Sequence, residues 1–136
     1  MEDYDFLSLA IELSKKAPGG KNYRVGAVIV KNGVLIGSGY SWEMGKGTHA
    51  EENAISKVKP SLKGAVAYCS MAPCTVRSSG KESCLDRLAR QGIKQIFYAC
   101  IAPDENPNNL RGSKVSLIHM CELEKAAKAV NPHLYR

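Results

Sequence analysis

The chain predicts an α/β fold of three layers, with helices covering both faces of a mixed central sheet of four to five strands. Three observations predict it. Apolar runs of strand length take turns along the chain with segments of helical spacing. Two of those runs are joined by Asn32-Gly33, the strongest short-range hairpin signal, because a type I′ turn needs positive φ at both central residues. From Gly64 onward single strands and single helices alternate, which implies parallel pairing through right-handed crossovers.

Taken in order, residues 4–16 carry apolar side chains at largely helical spacing, with Lys15 and Lys16 in the last turn, where cations suit the negative end of the helix dipole. Ala17-Pro18-Gly19-Gly20 stops this helix. Arg24–Lys31 and Val34–Tyr40 are the hairpin strands; the first is apolar without alternation, so both of its faces should be covered. Ser41–Gly47, with the only Trp, reads as a loop. A second helix should run from His49 to about Val58, ahead of Pro60, with Thr48 as N-cap and Glu51 completing a capping box. Gly64–Ser70 is a third strand, and Pro73 fixes the turn that presents Cys74.

Ser83 can cap a third helix from Cys84 to about Gln91, with Asp86 three residues after the cap and Gly92 at C′. Lys94–Cys100 is a fourth strand, and Ala102–Gly112 a loop rich in Pro and Asn. Ser113–Val130 favours one or two helices, with room for a short strand first; Asn131-Pro132 ends it, and a loose tail should follow. No repeat, low-complexity tract or linker interrupts the chain, so one domain over residues 1–136 is expected.

With 136 residues, 44% apolar and 24% charged, the chain has the composition of a globular domain with a real core. No apolar run approaches the roughly 20 residues needed to cross a bilayer, so no membrane partner is expected. The acidic start, Met1-Glu2-Asp3-Tyr4-Asp5, lacks the features of a signal peptide, and a cytoplasmic protein is the expectation. Five cysteines make an odd set, better read as metal ligands and packed thiols than as a disulfide framework. The net charge of +6 favours an anionic partner, a phosphorylated small molecule or nucleic acid; the plainer alternative is a surface kept solvated by Lys and Arg.

The chemistry concentrates in Thr48-His49-Ala50-Glu51-Glu52-Asn53 and in Ala72-Pro73-Cys74 running on to Cys84. His49, Cys74 and Cys84 offer one imidazole and two thiols, a set suited to Zn²⁺, and three protein ligands leave a fourth tetrahedral position open. Glu51 adds a carboxylate beside that position. Taken alone, Thr-x-x-Glu ahead of an apolar run is more often a cap than a catalytic element; the Cys pair downstream reverses that weighting. A structural zinc site would need a fourth protein ligand. His119 and Cys121 could be offered, yet both fit a helix face or core position, and His133 reads as a surface residue. Cys69 and Cys100 read as packed strand thiols. An open zinc site lowers the pKa of water from 15.7 to about 7, and Glu51 would shuttle protons from that water to a ring nitrogen and then to a departing amine.

From about Asn22 to Asn109 the chain resembles the cytidine-deaminase superfamily, and within it the riboflavin-pathway deaminases. The carriers are Asn22-x-x-Val25-Gly26, His49-Ala50-Glu51-Glu52-Asn53-Ala54 and a Pro73-Cys74…Cys84 pair with nine residues between the cysteines. The long insert and the later Pro103-Asp104-Glu105-Asn106-Pro107 segment are similar to the riboflavin type, the fungal form more than the bacterial one. The resemblance implies a cytidine-deaminase-like fold, His49, Cys74 and Cys84 as zinc ligands, and Glu51 as proton shuttle. It also implies a diaminopyrimidinone substrate carrying a ribosyl or ribityl 5′-phosphate. Asn22 and Ala50 would touch that substrate, Arg77, Ser79 and Lys81 are chemically suited to its phosphate, and Asp104 and Asn106 would line the far end of the pocket. Solvated-loop and plain-turn readings stand beside these last two assignments.

Ala72 departs from the Glu often found before Pro-Cys, and no reductase domain is expected, although such deaminases are often fused to one. The rival functions are a cytidine, dCMP or tRNA-base deaminase and a non-catalytic zinc module. No basic stripe interleaved with aromatics speaks for stacked bases, so nucleic acid is the weaker partner. A homodimer or homotetramer is expected from the superfamily's habit.

Overall fold

The computed structural model describes residues 1–59, 61–77, 79–111 and 113–135. Pro60 as a helix stop, Gly112 as a loop end and Ser78 of the insert lie outside the described residues. Five strands form one sheet: β1 (Gly26–Lys31), β2 (Val34–Tyr40), β3 (Val66–Met71), β4 (Gln95–Cys100) and β5 (Ser116–His119), in the order β2-β1-β3-β4-β5. β1 pairs antiparallel with both β2 and β3, whereas β3–β4 and β4–β5 are parallel. The mixed sheet is the expected one.

The helices are α1 (Asp3–Ser14), α2 (Ala50–Ser56), α3 (Cys84–Arg90), α4 (Pro107–Arg111) and α5 (Glu124–Ala129), the last entered through a 3₁₀ turn, Cys121–Leu123. β1 shows why an unalternating apolar run was needed. Ala27 and Ile29 join a core with Ala50 and Ala54 of α2 and Leu85 and Leu88 of α3. Val28 and Val30 face the other way, into a core with Phe6, Leu7 and Ala10 of α1 and Ala127 of α5. The sheet is thus dry on both sides, the arrangement in which strands read as continuous hydrophobic runs.

At the hairpin, Asn32 and Gly33 have φ of 52° and 78°, as a type I′ turn requires. Gly39 on β2 has a different purpose. A Cβ there would lie 2.6 Å from both the Ala50 carbonyl oxygen and the Ala54 nitrogen, so glycine lets α2 lie directly against the strand. The same contact seats the first turn of α2, and with it Glu51, close to the sheet.

Several expectations need correction. α1 ends at Ser14, so Lys15 is its C-cap and no cation lies in its last turn; Lys15 instead pairs with Glu12 at 2.9 Å. The expected loop over 102–112 contains α4. Its signal was present: Pro107 occupies the first helical position, and the Asn106 side-chain oxygen accepts the Asn108 N–H at 3.0 Å. The span 113–130 holds β5, the 3₁₀ turn and α5, with His119 on a strand rather than a helix.

Among the described residues, 131–135 are not a loose tail. Asn131, 1% exposed, accepts the Arg24 N–H at 2.8 Å and donates to the Arg24 carbonyl at 2.9 Å. His133 is half-buried and donates from Nε2 to the Asn22 carbonyl at 2.9 Å, so it is no plain surface residue. The Tyr135 hydroxyl donates to the Ile101 carbonyl at 2.7 Å. Among the described residues no helix is long and apolar enough to cross a membrane.

Candidate active site

Three elements bring the site together at one end of the sheet. His49 is the N-cap of α2, Cys84 opens α3, and Cys74 follows Pro73 in the turn leaving β3. The Ser83 hydroxyl accepts the Asp86 N–H at 3.1 Å, the expected cap, and Gly92 past the end of α3 has φ of 91°. Helix starts carry free N–H groups, and one of them is used: the Cys84 N–H donates to Cys74 Sγ at 3.3 Å.

His49 Nδ1 lies 3.3 Å from Cys84 Sγ and 3.7 Å from Cys74 Sγ, and the three donor atoms all fall within 4.8 Å of one another. Among the described residues these are the His, Cys, Asp and Glu side chains that group in this way; His119 and Cys121 lie apart from them. Such a set, two sulfurs and an imidazole nitrogen with Nδ1 turned inward, fits a zinc ion. His119 instead donates from Nε2 to the Ala99 carbonyl at 3.0 Å and stacks on Tyr98, while Cys121 is exposed. Cys69 and Cys100 are buried thiols, as expected.

The hydrogen bond between the two sulfurs pulls the Cys74 thiol down to about 4 and, with burial, drives Cys84 far up. A dication held between the sulfurs would favour both as thiolates. Glu51 is 4% exposed. Burial first, and then the Cys74 charge, push its carboxyl up to about 7, where a group can both accept and release a proton near neutral pH.

The capping box at α2 is shifted by one residue from expectation. The N-cap is His49, and its N–H donates to Glu52 Oε1 at 2.8 Å. Thr48 is occupied otherwise, donating to the Gly45 carbonyl at 2.7 Å and accepting from Asn53 Nδ2 at 3.0 Å. Glu52 therefore does the capping, and the Glu51 carboxylate is released from it. This is the observation that separates the two glutamates.

The His49/Cys74/Cys84 cluster opens on a cleft of about 830 Å³. Asn22, Ala50, Arg77, Ser79, Asp104 and Asn106 line it, together with His49, Glu51 and Cys74. Ala50 is buried, whereas Asn22 is half-buried and gives its side-chain amide to the Gly19 carbonyl at 3.1 Å. Lys81 is exposed and lies outside the lining. Arg77 is not a solvated loop residue: it is 8% exposed and donates from Nη2 to Glu52 at 3.1 Å, and its Nη1 is buried with no hydrogen-bond partner among the described residues.

The lining residues that were not anticipated include Trp42, Tyr23, Glu105 and Thr75. Trp42 adopts φ of 67°, a left-handed conformation that costs a bulky residue about 1–3 kcal/mol, with its N–H given to the Thr48 carbonyl at 2.8 Å. Tyr23 stands at the rim, its hydroxyl pushed up to about 12 by burial and by the Asp104 carboxylate. Glu105 and Thr75 are bonded to each other. The only sequence signal for any of these was an aromatic or acidic residue beside a motif.

Residues 1–100 match the family model for the cytidine and deoxycytidylate deaminase zinc-binding region. The chain belongs to this deaminase family, and proteins named for riboflavin biosynthesis are among those it is similar to. It is 37% identical over 141 aligned positions to the riboflavin biosynthesis protein RibD of Actinobacillus pleuropneumoniae, covering 97% of this chain and 36% of that protein. A diaminohydroxyphosphoribosylamino-pyrimidine deaminase of Schizosaccharomyces pombe is 40% identical over 108 positions, 76% of this chain and 26% of its own length. The crystal structure of a diaminohydroxyphosphoribosylaminopyrimidine deaminase/5-amino-6-(5-phosphoribosylamino)uracil reductase from Thermotoga maritima superposes with a TM-score of 0.84 at 29% identity, over 98% of this chain and 40% of that one. The chain thus spans well under half the length of these relatives, bacterial and fungal alike. The cytidine-deaminase-like fold expected from the sequence is the one found.

Proposed function

We propose that this chain is a zinc-dependent hydrolytic deaminase that converts an amino-pyrimidine to the oxo compound and ammonia. The proposed substrate is the diaminopyrimidinone bearing a ribosyl or ribityl 5′-phosphate. One observation carries the reading: a buried Glu51, freed from helix capping, stands beside a His49/Cys74/Cys84 cluster that opens on a cleft. His49 Nδ1 and the two Sγ atoms would hold the zinc, which when bound supplies Lewis acidity and brings the pKa of water to about 7.

Glu51 does the proton work. Its carboxylate takes a proton from the attacking water and delivers it to the ring nitrogen beside the amino-bearing carbon. It then takes the remaining proton from the hydroxyl added to that carbon and hands it to the amine, which leaves as ammonia while the oxo group forms. Burial, which raises the Glu51 carboxyl above its ordinary value, favours its uptake of a proton during the reaction.

The activities named for the relatives, and the buried Arg77 guanidinium that lines the cleft, support the phosphorylated substrate. A buried guanidinium nitrogen without a partner costs about 1–3 kcal/mol, and Arg77 Nη1 is such a group; an anion at that nitrogen would relieve it. Ser79 lines the same wall, and Asn22, Asp104 and Asn106 would meet the sugar-like chain. Assembly into a homodimer or homotetramer and a cytoplasmic location belong to the same reading.

The test is direct. Zinc-loaded protein is incubated separately with the phosphorylated diaminopyrimidinone, its dephosphorylated form, cytidine and dCMP, and ammonia is measured. Turnover of the first above the others is expected; release of ammonia from cytidine or dCMP alone overturns the substrate assignment.

A further inference from the structure

Glu52 touches three separate parts of the site. Its Oε1 accepts the His49 N–H at 2.8 Å and the Arg77 Nη2–H at 3.1 Å, and its Oε2 lies 3.9 Å from Arg87 Nη1. His49 is a metal-ligand candidate, Arg77 belongs to the insert between the two cysteines, and Arg87 sits on α3 one turn beyond Cys84. The Arg77 side chain is 4% exposed and that of Glu52 16%, so the pair is held where water screens it weakly. Arg77 Nη2 also reaches the Gly47 carbonyl, at 3.5 Å, on the loop leading into His49.

From this geometry we infer that Glu52 is a positioning residue that couples the metal ligands to the insert lining the cleft. A single carboxylate fixes the backbone of one ligand, draws in the helix that carries another, and anchors the loop between Cys74 and Cys84. The inference rests on the deaminase reading of the site. It extends that reading by giving the second glutamate of His-Ala-Glu-Glu-Asn a task of its own. Glu52 touches no reacting atom; it acts through His49, Arg77 and Arg87. The free Arg77 Nη1 is thereby held at the cleft wall with its other nitrogen already engaged.

The test separates the cap from the charge. In Glu52→Gln the amide oxygen can still accept the His49 and Arg77 N–H groups, but the charge attraction for Arg77 and Arg87 is gone. Two quantities are read on the zinc-loaded full chain: the rate of zinc transfer to a chelating dye, and KM against kcat for the substrate turned over. Partners behind metal ligands alter affinity or activity about 10–100-fold when replaced, so E52Q should release zinc about tenfold faster and raise KM about tenfold, with kcat within about threefold.

Arg77→Gln should speed zinc release to a similar degree, and the double variant should be no faster than the worse single variant. Zinc release from E52Q at the wild-type rate, or single effects that multiply in the double variant, overturns the inference. Should E52Q fail to fold, R77Q leaves the cap intact and decides alone: release at the wild-type rate overturns the coupling. A wild-type chain inactive on every amino-pyrimidine would sink the substrate reading, while the zinc-release comparison would still decide the task of Glu52.

Discussion

Glu105 holds Thr75 with both carboxylate oxygens: Oε1 accepts the Thr75 N–H at 3.0 Å, and Oε2 accepts the Thr75 hydroxyl at 2.8 Å. Thr75 directly follows Cys74, so the loop after β4 fixes the turn that presents a metal-ligand candidate. Asn109 Nδ2 adds a bond to the same hydroxyl at 3.3 Å. Glu105→Ala should therefore lower stability by about 1–3 kcal/mol and raise KM, because one side of the cleft loses its brace. Urea unfolding and steady-state kinetics check both parts; unchanged KM would detach this clamp from substrate binding.

Glu51→Gln should lower kcat by about 10²–10⁴-fold, the usual worth of a positioned proton-transfer group. Its amide matches the carboxylate in size and carries no charge beside Cys74. Zinc content, measured by elemental analysis, should therefore stay at the wild-type level. Turnover within a few-fold of wild type would remove Glu51 from the mechanism.

Gly39→Ala tests the approach of α2 to the sheet. Its Cβ would meet the Ala50 oxygen and Ala54 nitrogen at 2.6 Å, and both are backbone atoms that move only with the helix. A loss of about 1–3 kcal/mol is expected, together with weaker zinc retention, since His49 and Glu51 ride on that helix start. Thermal melting with and without zinc distinguishes the two effects.

Alkaline unfolding offers a measurement remote from the metal ligands. The buried Tyr68 hydroxyl donates to Asp3, tying the first turn of α1 to β3. Burial, and then the Asp3 carboxylate, raise the Tyr68 pKa above its ordinary value. The folded state keeps this proton where the unfolded chain loses it, so stability falls as pH rises beyond about 10. Tyr68→Phe should cost about 1 kcal/mol at pH 7 and flatten part of the fall above pH 10, as followed by urea unfolding across that range.

The grouping of His49, Cys74 and Cys84 was legible because the signals that place them are local. Cys84 needs a capped helix start, and Ser83 with Asp86 spells one out. The hairpin was legible for the same reason, since Asn32-Gly33 has few other uses. Capping at α2 misled by one position. Thr48 is the better N-cap by intrinsic preference, but its hydroxyl is taken by Gly45 and Asn53, so the helix starts after His49 and Glu52 closes the box. α4 was hidden because Pro and Asn read as loop residues unless their order, Asn106 then Pro107, is given weight. Least legible were the partnerships of distant residues. Nothing near Asn131 announces that its amide will pair with both backbone groups of Arg24, 107 positions away.

That last pairing bears on how the protein can be handled. Asn131 clasps Arg24, and His133 clasps Asn22, two positions before it in the segment that forms the mouth of the cleft. Trimming the final six residues, or pulling on them with a fused partner, would therefore tug at one wall of the cleft.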